Sequence, residues 1–137
     1  MQLTPLIALH MGCAIAATAV GPIALWARRG GTAPRPSLHR AAGYAFTLLM
    51  LGAAISAIFI RDWRLPNWHG YTLIHLLVPL TFASLAGAFV ALAQRRIARH
   101  SKIMRSLYLG ACVTAGLFTL LPGRYLGNLL WSGLGLI

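Results

Sequence analysis

The chain has 137 residues, the length of one domain, with 58% hydrophobic and 9% charged residues and a mean hydropathy of +0.73. A water-soluble domain carries roughly a quarter charged residues, so this composition excludes an aqueous surface and leaves lipid to cover most of the outside. Twelve Lys or Arg against one acid, Asp62, give a net charge of +11, but these charges sit in short segments between apolar runs, which points to an anionic lipid surface and to no nucleic acid.

A hydrocarbon core takes about 20 apolar residues per helix. Four runs meet that length, at 5–27, 41–60, 71–93 and 103–121, and predict an all-α integral membrane protein, a four-helix transmembrane bundle in a single domain, 1–137. The first run lacks a basic start and reaches full spanning length, so it reads as a helix rather than a removable leader. It holds His10 and the small-residue pairs Gly12/Ala16 and Ala17/Gly21 at the spacing that lets helices approach closely. The loop after it, ARRGGTAPRPSLHR, carries Arg28, Arg29, Arg35 and Arg40. The second run follows His39 and holds Gly43 one turn on from it.

The outer loop then holds Arg61, Asp62, Arg64 and His69, the last reading as solvated. Trp26, Trp63, Trp68 and Tyr71 fall near run ends as an aromatic belt does. The third run carries His75 and Pro79. Because Pro79 cannot bond the His75 carbonyl, a kink or local polar site is expected there. The loop after it, AQRRIARHSKIMR, holds Arg95, Arg96, Arg99, Lys102 and Arg105 beside His100. Both basic loops are therefore expected on the cytoplasmic side of a bacterial inner membrane, with both termini periplasmic. Residues 122–137, beginning Pro122-Gly123, are expected at the outer interface.

ALWARRG followed by HRAAGY parallels ALAQRR followed by HSKIMR, a pattern of helix, double arginine, basic loop, histidine and helix that suggests an internal two-helix repeat. Cys13 and Cys112 lie inside apolar runs and read as small buried hydrophobes. The run interiors lack acids, and the single acid of the chain lies in a loop, which argues against ion-driven transport and against a Ser–His–acid hydrolase.

The histidines carry the chemical reading. His10 and His75 lie about a turn inside the outer ends of runs one and three, and His39 and His100 at the inner starts of runs two and four. A b-type haem crossing a bundle takes two imidazoles at one level from facing helices. On this reading His10 with His75 and His39 with His100 ligate one or two haem irons. Arg28, Arg29, Arg40, Arg95 and Arg96 pair with propionates. Ordinary histidines near helix ends account for the same positions.

GPIALWARRG (21–30), HRAAGY (39–44), RRIARHSKIMRSLY (95–108) and AGLFTLLPGR (115–124) resemble the bacterial membrane proteins grouped as domain of unknown function 2306. The chain departs from that pattern where Tyr44 directly follows Gly43, and at RRIARH, where an acidic or polar loop is the family habit. The family has no firmly established activity, so the resemblance implies topology rather than function. The layout is also similar to two-haem b-type membrane cytochromes, whose histidine pairs come from alternating helices, an analogy of architecture alone.

Two functions follow. One is electron transfer through one or two b-type haems, exchanging electrons with a quinol or a redox partner protein. The other is a cofactor-free accessory subunit of a larger respiratory or photosynthetic membrane complex, which small-residue helix faces also suit. A carrier for neutral molecules is weaker, since it would use no buried charge.

Overall fold

The computed structural model describes residues 3–29, 36–61, 63 and 66–136. Arg35, Asp62 and Arg64 lie outside the described residues, as does the side chain of Arg29. Among the described residues the protein is all-helical, and its β-pairing is one isolated bridge, Trp68 to Tyr71.

Helix α1 spans Pro5–Arg29. Its start is set by Thr4, whose side-chain oxygen accepts the Ile7 N–H at 3.3 Å, and by Pro5, which fits the first helical position because its missing N–H has no partner to lose. Helix α2 spans Pro36–Phe59 and also opens on proline. It therefore begins ahead of the expected 41 and carries His39 inside its first turn rather than in the preceding loop. α1 and α2 form the most extensive helix pair in the molecule.

The third run starts differently from its expected onset at Tyr71. A 3₁₀ turn, Leu73–Leu76, precedes α3, Leu77–Ala93. Pro79 thus falls in the first turn of α3, where a missing N–H costs little, and the irregularity expected around it takes the form of the 3₁₀-to-α change. The outer turn before it is tight, with Trp68 and Tyr71 exchanging backbone bonds of 2.8 and 3.0 Å across His69 and Gly70, at φ 52° and 84°. Arg61 braces this turn, donating to the His69 carbonyl at 2.9 Å and lying 3.8 Å over the Tyr71 ring. His69 is exposed.

α3 turns into α4, Ile97–Leu107, through three residues. Arg96 N–H bonds the Ala91 carbonyl at 2.8 Å and Arg95 N–H the Leu92 carbonyl at 3.0 Å. This is a Schellman stop, with Arg95 at φ 58° in the left-handed position that glycine usually fills. The expected fourth run, 103–121, is not one α-helix. The chain passes from α4 into a π-helical segment, Tyr108–Thr114, and back to α5, Ala115–Thr119. Three stretches, Pro5–Arg28, Pro36–Phe59 and Leu73–Ala93, are long and apolar enough by themselves to cross a membrane.

Residues 122–137 hold a further helix, α6, Tyr125–Gly133. It folds back on the chain: Trp131 donates its ring N–H to the Leu120 carbonyl at 2.8 Å, and the Gly123 N–H bonds the Asn128 side chain at 2.7 Å.

The core lies where the two helical hairpins meet and is built from Ala17, Phe46, Met50, Leu85, Leu107 and Cys112. Of the small-residue pairs, Ala17/Gly21 makes the close approach: Ala17 is fully buried, and a Cβ at Gly21 would stand 2.5 Å from the Tyr108 ring. Gly12 has nothing within 4 Å of where its Cβ would lie, so it packs against no neighbouring helix. Outside the core, large apolar side chains face outward, Leu48 at 69%, Phe59 at 65% and Leu117 at 62% exposure. Such a surface suits hydrocarbon and would aggregate in water.

Candidate functional site: a histidine-lined cleft

A cavity of about 700 Å³ opens between the two hairpins at the end that carries the basic turns. Four helical stretches supply its walls at helical spacing. α1 contributes Gly21, Ala24 and Arg28, and α2 contributes His39, Gly43 and Thr47. α4 and the start of the π segment contribute His100, Met104 and Tyr108, three residues in steps of four along one face. Phe89 and Leu92 close the α3 side, and Arg40 stands with Arg28 among the lining residues. Two of the four expected ligand histidines are therefore in one cleft.

The ring orientation of each histidine follows from its partner. His39 Nδ1 lies 2.8 Å from the Ala24 carbonyl, and His100 Nδ1 lies 2.9 Å from the Ala88 carbonyl. A carbonyl oxygen only accepts, so Nδ1 carries the proton in both rings and Nε2 keeps its lone pair. This is how proteins hold an imidazole that is to be a ligand through Nε2: the second nitrogen is fixed by a backbone acceptor. In both hairpins the histidine on the returning helix bonds a carbonyl of the helix before it. The two hairpins thus repeat one device.

The other two histidines sit elsewhere. His10 Nδ1 donates to the Ala53 carbonyl at 2.8 Å, with Ser56 Oγ at 3.1 Å, tying α1 to α2 near the other end of the bundle. His75 uses both nitrogens: Nδ1 accepts the Thr72 N–H at 3.1 Å, and Nε2 donates to the Ile60 carbonyl at 2.9 Å. With its proton on Nε2 and its lone pair engaged, His75 has no free nitrogen for a metal. It lines a shallower, mainly apolar depression with Trp68 and Tyr71, to which His10 does not contribute.

Arg95 and Arg96 are exposed on the α3–α4 turn and do not line the cleft. Among the described residues no three His, Cys, Asp or Glu side chains gather as a set for a bare metal ion.

Several lining groups were not singled out from the sequence. Tyr108 is the main one; its spacing of eight from His100 was the available signal. The π segment had none, because its residues, YLGACVT, have the composition of any apolar helix. The Ala24 and Ala88 carbonyls have none either, since a backbone acceptor leaves no trace in residue identity.

Neither a curated protein nor a solved structure matches this chain. The family model described as predicted membrane protein (DUF2306) matches residues 7–131, and the chain belongs to that family.

Proposed function

We propose that this protein is a membrane electron-transfer protein that holds a single b-type haem in the cleft between its hairpins, where His39 and His100 would hold its iron. The observation that carries this reading is that both imidazoles line one cleft, each with Nδ1–H committed to a backbone carbonyl and Nε2 left with its lone pair. The volume, about 700 Å³, falls within the usual range of about 300–1,000 Å³ for cofactor sites. Gly43, with nothing within 4 Å of where a Cβ would lie, leaves room for a flat ring against backbone. Arg28 and Arg40 supply positive charge for propionates, and the chain has no acid near them in sequence to neutralise that charge.

When bound, such a haem takes up and releases single electrons. The remaining work is done by the chain's own groups. The two carbonyls fix the imidazole planes and raise their basicity, and the apolar walls keep the local dielectric low, which together set the potential. The outer histidines do not fit a second haem, because His75 has no free nitrogen.

In this reading the chain crosses a bacterial inner membrane four times, the fourth crossing being α4, the π segment and α5 together. The basic turns face the cytoplasm and both termini the periplasm. Arg95, Arg96, Arg99 and Lys102 then meet anionic lipid headgroups. A quinol or a redox partner protein exchanges electrons with the site.

The test is an absorption spectrum of the protein purified after haem-replete expression, oxidised and then reduced. A bis-histidine b-type spectrum, lost in His39→Ala and in His100→Ala, supports the proposal. A colourless protein that co-purifies with a larger membrane complex supports the accessory-subunit reading instead.

A further inference from the structure

We propose that Tyr108 is the specificity-determining floor of the cleft, and that it fixes which edge of the macrocycle enters first. This rests on the haem reading above and adds a residue and an orientation to it.

Four observations converge on this side chain. Tyr108 lines the cleft, while its neighbour Leu107 is buried in the packed core, so the ring stands at the boundary between cavity and core. The ring is held by close neighbours in the wall: a Cβ at Gly21 would come within 2.5 Å of Cδ2, and the Phe46 ring lies 6.3 Å away, centroid to centroid. Its hydroxyl is spent, donating to the Thr18 carbonyl at 3.1 Å on α1. Finally, Tyr108 is the first residue of the π segment, the point at which the helix changes its bonding register.

The chemical consequence is a polarity axis in the cleft. With its hydroxyl turned to α1, Tyr108 offers carbon to whatever rests on it, and Phe46 beside it does the same. The charged groups of the lining, Arg28 and Arg40, belong to the basic end of α1 and α2. An amphipathic macrocycle therefore enters with its hydrocarbon edge toward Tyr108 and its carboxylate edge toward the arginines. The close approach at Gly21 also limits depth: any side chain there pushes Tyr108 into the cavity.

This can be tested by the choice of porphyrin, with the full chain in lipid nanodiscs. Iron protoporphyrin IX has two vinyl groups on its hydrocarbon edge; iron deuteroporphyrin IX has hydrogens there. Affinities for both are measured by spectral titration in the wild type, Gly21→Ala, Tyr108→Leu and the Gly21→Ala/Tyr108→Leu double variant. Gly21→Ala should shift preference toward the smaller deuteroporphyrin by about tenfold, the scale of one misplaced small group in a shaped pocket. Tyr108→Leu should shift it the other way, and the double variant should recover protoporphyrin binding, because removing the ring removes the clash.

An unchanged porphyrin preference in all variants, with the wild type still binding both compounds, overturns the floor assignment and leaves the haem site standing. A wild type that binds neither porphyrin overturns both. If Gly21→Ala does not fold, Tyr108→Leu alone decides, since it removes atoms and adds none.

Discussion

A histidine ring can be a ligand or a helix clamp, and here the difference lies in where the proton sits and in whether the ring lines the cleft. His10, His39 and His100 each donate Nδ1–H to a backbone carbonyl, whereas His75 donates through Nε2. Removing the ring of His10 or His39 costs its Nδ1–H bond to a carbonyl, about 0.6–1 kcal/mol in a membrane bundle. His10→Ala and His39→Ala should therefore lower resistance to unfolding in mixed detergent micelles by similar small amounts. Their spectra should diverge, with absorbance kept in His10→Ala and lost in His39→Ala. Equal bleaching in both would return the outer histidine to the ligand set. Residue types alone made His10 and His39 look equivalent; they differ in place, because His39 lines the cleft with His100 and His10 does not, and that grouping depends on how the hairpins pack.

The elements were legible to the extent that their ends carry chemistry. Two apolar helices end at double arginines, and Pro36 marks the true start of α2. What the sequence hid was hydrogen-bond register, which depends on packing rather than composition. The 3₁₀ turn before α3 and the π segment after α4 are both register changes inside apolar runs. The π segment lets Tyr108 reach Thr18 on α1 while Cys112 donates to Met50 Sδ on α2 at 3.6 Å. Deleting Leu109 would return the segment toward α-register and rotate one of these contacts away, so a fall in thermal stability is the expected result. Met50→Ala removes a side chain that is only 5% exposed, with an expected loss of about 2–5 kcal/mol. The α3–α4 turn predicts the opposite sign. Arg95 holds a left-handed backbone at φ 58°, so Arg95→Gly should stabilise the turn by up to about 1 kcal/mol. Unfolding titrations of the three variants beside wild type would check all of these values.

For the whole molecule, arginine placement is the ground for the proposed orientation. Both basic turns lie at one end of the bundle with the cleft, and the Trp68–Tyr71 turn lies beyond the other end of α2. On the four-crossing reading, a cysteine at Gln94 should react with a membrane-impermeant maleimide in inside-out vesicles and not in right-side-out ones. Reaction from the periplasmic side would reverse the assignment. The bundle and its grouping of inner histidines follow from apolar length and charge asymmetry, quantities the sequence states directly. The separation of the outer pair does not, because it depends on how α3 begins.

The broken fourth stretch also has a consequence for the surrounding bilayer. Its basic residues continue to Arg105, so the part able to lie in hydrocarbon runs from Ser106 to Leu121. At about 1.5 Å per residue that is about 24 Å, and a π turn advances less than an α turn, whereas the acyl region of a typical bilayer is about 30 Å thick. Acyl chains beside this stretch would have to shorten or splay while those beside α1 and α2 remain at full extension. The protein would then sit as a wedge in leaflet thickness, most stable in lipids of shorter chain length and drawn to thin patches of the membrane.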